Sequence, residues 1–183
     1  MCDDLRNFYD KYEIFESAWA ASERGDWMLN IAAKLNIDER TLTLAKGHCV
    51  NTVRHLMMHD RSIKAVDTAI AFGEGMATDY ELIDAKMDAY IYAPFDYVAA
   101  YDADYGAVTA NWTAAFAAAT AADDNFYFAA AEAAAEAAAK EAAYNSKDPK
   151  SARKENQKLT ADICRKYLTE SVLEKIKEYE REV

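Results

Sequence analysis

The stretch AAATAADDNFYFAAAEAAAEAAAKEAA, residues 117–143, decides the fold, because it is built mainly from the strongest helix-forming residue. It belongs to a longer segment, residues 99–143, in which 23 of 45 residues are alanine. Alanine loses no side-chain entropy in a helix, and its small size lets two helices approach more closely than the usual distance of roughly 8–10 Å. We therefore expect closely packed helices on either side of Asp123 and Asp124.

The charge of the chain is strongly acidic and unevenly distributed. The formal net charge is −11, and residues 87–139 contain eight acidic residues but no lysine or arginine. Residues 146–183 differ, with ten basic residues against eight acidic ones. An acidic surface repels nucleic acid and attracts basic groups. The sequence therefore predicts a protein partner with a basic surface and no direct binding of nucleic acid.

Helix signals divide residues 1–75 into four predicted helices. The first runs to about Arg24, where Gly25 ends it, and the third carries an apolar stripe from Leu42 to Leu56. The fourth is closed by glycines at about residues 73–75. The aspartates expected at the starts of these helices, where a short carboxylate caps free backbone N–H groups, are Asp3, Asp26, Asp38 and Asp60.

Two further helix starts follow. Thr78 and Glu81 match a capping box, which predicts a fifth helix that should stop or kink near Pro94. Asp148 and Pro149 have the pattern of an N-cap and first helical position, so we expect a long last helix with a basic outer face. That helix either packs across the acidic body or protrudes to engage a partner.

These signals predict an all-α protein: a single-domain, multi-helix bundle over residues 1–183, with closely packed alanine-rich helices and a long C-terminal helix. Its segments are N-terminal helices (1–75), acidic alanine-rich helices (78–144) and the basic-faced helix (148–183). Five glycines and two prolines are too few for a sandwich or barrel. The chain contains no run of about 18 apolar residues, so the sequence predicts no membrane span. The odd number of cysteines, three, fits reduced thiols in a cytoplasm.

Candidate chemistry centres on three histidines, His48, His55 and His59, which all fall on the predicted third helix. His55 and His59 are four residues apart, the spacing at which two imidazoles reach one metal ion, so a metal-dependent enzyme using them is one alternative. The default hypothesis is that they only form hydrogen bonds. Cys49 lies in the apolar stripe, which indicates an inert core thiol. No catalytic residue and no cofactor is predicted.

Carboxylates at helical spacing form the candidate partner-binding surface. Pairs such as Glu132 and Glu136 are typical of solvated acidic faces. The alternative function is DNA mimicry, in which carboxylates imitate phosphates and compete for the basic groove of a nucleic-acid-binding protein. The residues assigned to partner binding are Asp84, Asp88, Asp102, Asp104, Asp123 and Asp124.

The segment from Cys49 to about Tyr144 resembles a group of alanine-rich, all-helical small proteins of bacteria and phages, most of them uncharacterised and some labelled as immunity proteins. The resemblance rests on the short motifs HLM (55–57), DRS (60–62), AVD (65–67) and AT (77–78), with Glu81-Leu82 and the alanine tract. This chain departs from the group's arginine-rich alanine repeats. The resemblance implies a small accessory protein of a phage or mobile element and transfers no catalytic residue.

The leading hypothesis is a non-enzymatic interaction protein that binds and blocks a protein partner. Inhibition of a host defence system and immunity to a toxin are two forms of this function. A structural role, in which alanine-lined helices build a homo-oligomer, is a further possibility. The sequence separates these functions no further.

Overall fold

A computed structural model describes the backbone of residues 3–99, 105–121 and 129–182, and the side chains in these ranges except those at 3, 5, 92–112 and 182. The part described is helical with no strand, which confirms the predicted all-α bundle. Its α-helices are α1 (Asp3–Tyr9), α2 (Phe15–Ala21), α3 (Gly25–Lys34), α4 (Glu39–Asn51), α5 (Asp60–Gly73), α6 (Asp79–Ala99), α7 (Tyr105–Ala121), α8 (Ala129–Tyr144) and α9 (Pro149–Glu182).

The buried residues form two clusters that meet at α4 and α8. The first joins α5, α6, α7 and α8, and α4 contributes Val50 to it. The second joins α2, α3 and α9 to the opposite side of α4, which contributes Leu42 and Cys49. α4 also buries the side chain of Lys46. The two clusters make one continuous body.

α8 is the central helix of this body, because its small alanine side chains allow several helices to pack against it. It packs against α7 and α9 and also contacts α3 and α4. Its buried residues cover about two thirds of the helix circumference: Ala130, Ala131, Ala133, Ala134, Ala135, Ala137, Ala139 and Ala142. A helix with larger side chains could not accommodate several neighbours at such short range, because core positions are already close-packed.

α9 packs on the body, which answers the question that the sequence left open. Ala161, Cys164, Leu168 and Val172 are buried in the second cluster. The start of α3 lies so close to α9 that a Cβ on Gly25 would be 2.5 Å from the hydroxyl of Thr160. Gly25 therefore begins α3 rather than only ending an earlier helix, and its missing side chain permits the contact.

The predicted first helix is interrupted, because α1 ends at Tyr9 and α2 begins at Phe15. The break brings the aromatic ring of Tyr9 onto Phe15, with 5.5 Å between ring centroids. Phe8 contacts Trp27 at 5.7 Å. Residues six apart on one straight helix face different directions, so an unbroken helix would not stack Tyr9 on Phe15.

The predicted third helix also ends early. α4 stops at Asn51, and a 3₁₀ turn at Arg54–Leu56 precedes α5. The hydroxyl of Thr52 donates to the carbonyl of Cys49 at 2.7 Å, which takes up an acceptor at the helix end. α6, in contrast, continues through Pro94 to Ala99, so the expected stop there is wrong. Proline cannot donate a backbone hydrogen bond within the helix, and tertiary packing stabilises α6 by more than the loss of that bond costs.

Other predicted helix starts are confirmed. Asp38 accepts from the backbone N–H of Thr41 at 3.0 Å, and Asp148 accepts from the N–H of Lys150 at 3.1 Å. α5 begins at Asp60, but its N-cap is His59. Because short polar side chains satisfy the free N–H groups of a first turn, these starts can be read from local sequence.

The alanine packing predicts a position-specific effect of added bulk on α8. Ala134→Leu should lower the free energy of unfolding by about 1–3 kcal/mol, because the fully buried site has no room for three more carbon atoms. Ala143→Leu, on the exposed side of the same helix, should leave it within about 0.5 kcal/mol of the wild type. Urea unfolding of both variants measures this, and equal losses would contradict the packing.

The two described cysteines should be unreactive in the folded protein. Cys49 and Cys164 are both fully buried, with 3.9 Å between their sulfur atoms. Burial raises the pKa of Cys49, so this residue stays protonated as a thiol instead of forming the reactive thiolate. In a Cys2→Ser variant, a chromogenic disulfide reagent should label no thiol before unfolding and both afterwards. Fast labelling of the native protein would contradict this.

His48 should make stability depend on pH. Its ring stacks on Tyr167 with 4.6 Å between centroids. Burial, and then the charge of Lys166, lower its pKa below the usual 6.5. Just below pH 6.5 the unfolded chain therefore binds more protons than the native state, so the free energy of unfolding rises as the pH rises to 6.5. His48→Gln should remove this rise, as measured by urea unfolding between about pH 5 and 7. An unchanged slope would contradict it.

Candidate protein-interaction surface

α6 is fixed at its start by the capping box that the sequence predicted. The backbone N–H of Thr78 donates to the carboxylate of Glu81 at 2.8 Å. In return, the N–H of Glu81 donates to the hydroxyl of Thr78 at 3.3 Å. The N–H bond from Thr78 also lowers the pKa of Glu81, which keeps it ionised. These reciprocal bonds determine where the first turn of the helix begins.

One side of α6 packs on the body through Leu82, Ala85 and Ala89, which are buried among α5, α7 and their neighbours. The opposite side, at about 180° around the helix, faces solvent. It nevertheless carries four large apolar residues, here called the α6 ridge: Tyr80 (86% exposed), Ile83 (56%), Met87 (53%) and Ile91 (53%). Single exposed apolar residues are common, but an ordered row is typical of a binding surface.

The ridge has the dimensions of a helix-binding or protein-binding stripe. Tyr80 and Ile91 are eleven residues apart, so the ridge spans about 16 Å, or three turns. Its members follow at spacings of three, four and four residues, which places them on one face. The four side chains therefore form a continuous strip of apolar surface.

Acidic residues flank the ridge on the side of α5. Asp84 is exposed and lies about 40° around the helix from Tyr80, and Glu81 lies about 100° away. Asp84 and Glu81 also line a groove of about 360 Å³ between α5 and α6, to which Lys64, Asp67 and Met76 contribute. The surface therefore combines an apolar strip with carboxylates along one edge.

The candidate partner-binding residues have different surroundings. Asp84 is exposed beside the ridge. Asp88 forms an ion pair with Arg61 of α5, with 3.1 Å between Nη1 and Oδ1, so part of its charge is used within the fold. Asp102, Asp104, Asp123 and Asp124 lie outside the described residues.

Glu132 and Glu136 do not form a solvated acidic face. Arg153 of α9 forms ion pairs with both carboxylates, and Arg24 lies 3.6 Å from Glu132. Arg24 also makes a two-bonded contact with Asp26, at 2.8 and 2.6 Å. Burial, then repulsion from Asp26, raises the pKa of Glu132. These acids join α8 to α9 and α3, so tertiary packing rather than solvent determines their surroundings.

The histidines do not share a helix. His48 lies on α4, His55 lies in the 3₁₀ turn, and His59 is the N-cap of α5. His55 Nε2 is 3.2 Å from Glu141 of α8, and His59 Nδ1 accepts from the N–H of Arg61 at 3.3 Å. The helical spacing that would place His55 and His59 on one metal ion is therefore absent. Among the side chains that the structure describes, no group of three His, Cys, Asp or Glu residues could bind an ion.

The α6 ridge was not predicted, although its signal was present. Residues 80–91 contain two apolar stripes, one with Leu82, Ala85 and Ala89 and the other with the ridge. A helix with apolar residues on opposite faces is either buried all round or in contact with a partner. The sequence does not reveal which stripe packs inward, because that depends on the positions of α5 and α7.

Among the described helices, no segment has the length and apolar character that a membrane crossing requires. Comparison with known proteins gives no match: no family model, no curated protein and no solved structure is significantly similar to this chain. The resemblance to alanine-rich proteins of bacteria and phages accordingly stays a prediction.

Proposed function

We propose that this chain is a non-enzymatic interaction protein that binds and blocks a protein partner with a basic surface. Inhibition of a host defence system and immunity to a toxin are the two forms that this activity takes. An origin in a phage or other mobile element rests on the resemblance to alanine-rich helical proteins alone.

The observation that supports this function is the α6 ridge. Four large apolar side chains that are each more than half exposed contribute little to folding, because burial from water is what makes such groups stabilising. Burial of a fully exposed side chain of this size contributes roughly 1.5–3 kcal/mol, and the half-exposed ridge residues would gain about half of that each on binding. A surface that gains this much when covered is suited to a protein partner.

The adjacent carboxylates support a basic partner. Asp84 and Glu81 lie beside the ridge, and the whole chain has a net charge of −11. Complementary charge raises association rates and excludes partners of the same sign, whereas the apolar contact supplies most of the affinity. We therefore expect binding that weakens with added salt but is not abolished by it.

The test is the double variant Ile83→Ala, Met87→Ala, used as bait against lysate of the host. It should recover the partner at least tenfold less than the wild type, because it removes much of the ridge while alanine keeps the helix propensity of α6. Quantitative mass spectrometry of the captured proteins gives the ratio. Circular dichroism and urea unfolding verify that the double variant remains folded.

The matched control is Ile14→Ala, because Ile14 is 58% exposed, close to the 56% of Ile83, but lies at the start of α2. It should capture the partner like the wild type. A protein captured equally by the wild type and both variants is not bound through the ridge. If no protein distinguishes the double variant from the control, the proposed function is wrong.

A further inference from the structure

We infer that the ridge accepts a basic amphipathic α-helix of another protein, which packs along α6 and directs lysine or arginine side chains toward Asp84 and the groove beside it. This inference rests on the proposed function and specifies the element that the partner contributes. Its basis is the shape of the ridge, the one-sided position of the acids and the unsuitability of a second copy of this chain.

The shape favours a helix. The ridge is one row of side chains about 16 Å long, and it borders the groove between α5 and α6. Rows of side chains spaced by three and four residues pack into the grooves of another helix with the same spacing. A helix of about three to four turns that has an apolar stripe would therefore cover the whole ridge, just as α5 and α7 cover the opposite face of α6.

The charges determine the orientation of that helix. Asp84 and Glu81 lie on the α5 side of the ridge and line the groove, to which α5 contributes Lys64 and Asp67. Asp67 is ion-paired with Arg54, so the carboxylates of Asp84 and Glu81 form the acidic edge. The opposite flank carries Lys86 and Tyr90, which are only partly exposed. A partner helix with basic residues along one edge of its apolar stripe would place them over the groove. The basic edge therefore determines whether the partner helix runs parallel or antiparallel to α6.

A second copy of this chain fits poorly. Two antiparallel α6 ridges in contact would bring Asp84 and Glu81 of one copy near the same acids of the other, a like-charge contact that costs free energy. α9 is the basic helix of the chain, but its exposed large apolar residues in the described part are Leu159 and Tyr179. These are twenty residues apart and form no stripe that could cover the ridge.

The experiment measures binding of three 18-residue synthetic peptides to the wild-type protein by fluorescence anisotropy. The first contains leucine and lysine spaced to form an amphipathic helix, the second has the same composition in scrambled order, and the third replaces each lysine of the first with glutamate. The first should bind at least tenfold more tightly than the scrambled peptide, and the glutamate peptide should not bind. Circular dichroism should show that the first peptide is helical in the complex.

The protein variants locate the site. Ile83→Ala with Met87→Ala should weaken binding of the leucine–lysine peptide at least tenfold, whereas Ile14→Ala should not change it. Asp84→Asn should weaken it severalfold at low salt and less at high salt, and Asp10→Asn, at another exposed aspartate, serves as its charge control.

Three results would overturn the inference: no binding of the leucine–lysine peptide, equal binding of the scrambled peptide, or equal effects of the ridge and Ile14 variants. Each of them leaves the proposed function to its own test, because capture of a partner through the ridge does not depend on that partner contributing a helix. A different outcome is that the leucine–lysine peptide binds the ridge specifically but no protein of the lysate is captured through it. That outcome would reject the proposed function and retain the ridge as a helix-binding site.

Discussion

The close packing of alanine around α8 is the constraint on which the rest of the structure depends. Four helices surround α8, and each can approach it only because almost every contacting side chain is a single methyl group. Close approach gains many weak dispersion contacts and leaves no space for larger groups. It also brings Glu132 and Glu136 to the surface of α9, where Arg153 forms an ion pair with each of them. The position of the basic last helix thus follows from the alanine helix beneath it.

α6 lies at the edge of this arrangement and differs from α8 in an instructive way. α8 is buried over most of its surface by small side chains, whereas α6 is buried on one side and has its large apolar residues on the other. Leu82, Ala85 and Ala89 are sufficient where α6 contacts the body. Large residues such as Tyr80 and Met87 are therefore placed where they contribute least to the fold, which is the arrangement expected of side chains that contact a partner.

The acidic charge of the chain likewise has two uses. Asp26 pairs with Arg24 at the start of α3. Asp88, Glu132 and Glu136 form ion pairs with arginines of neighbouring helices, which join α6 to α5 and α8 to α9. Asp84 remains exposed next to the apolar ridge. Half-exposed ion pairs contribute little to stability individually, so their main effect is on which surfaces meet. The number of carboxylates in the sequence does not separate the ion-paired acids from the exposed ones, because the fold determines which carboxylates lie close to an arginine.

The sequence by itself determined the helical class, the capping box at Thr78 and the start of the last helix. These features depend on propensities and hydrogen bonds among residues at most four apart, which a local reading contains. Only the tertiary structure decided that α1 and α2 are separate, that His55 and His59 lie on different elements and that Tyr80 and its ridge face outward. Each depends on contacts between residues far apart in sequence, such as Asn156 with Thr52, and local propensity yields to that packing.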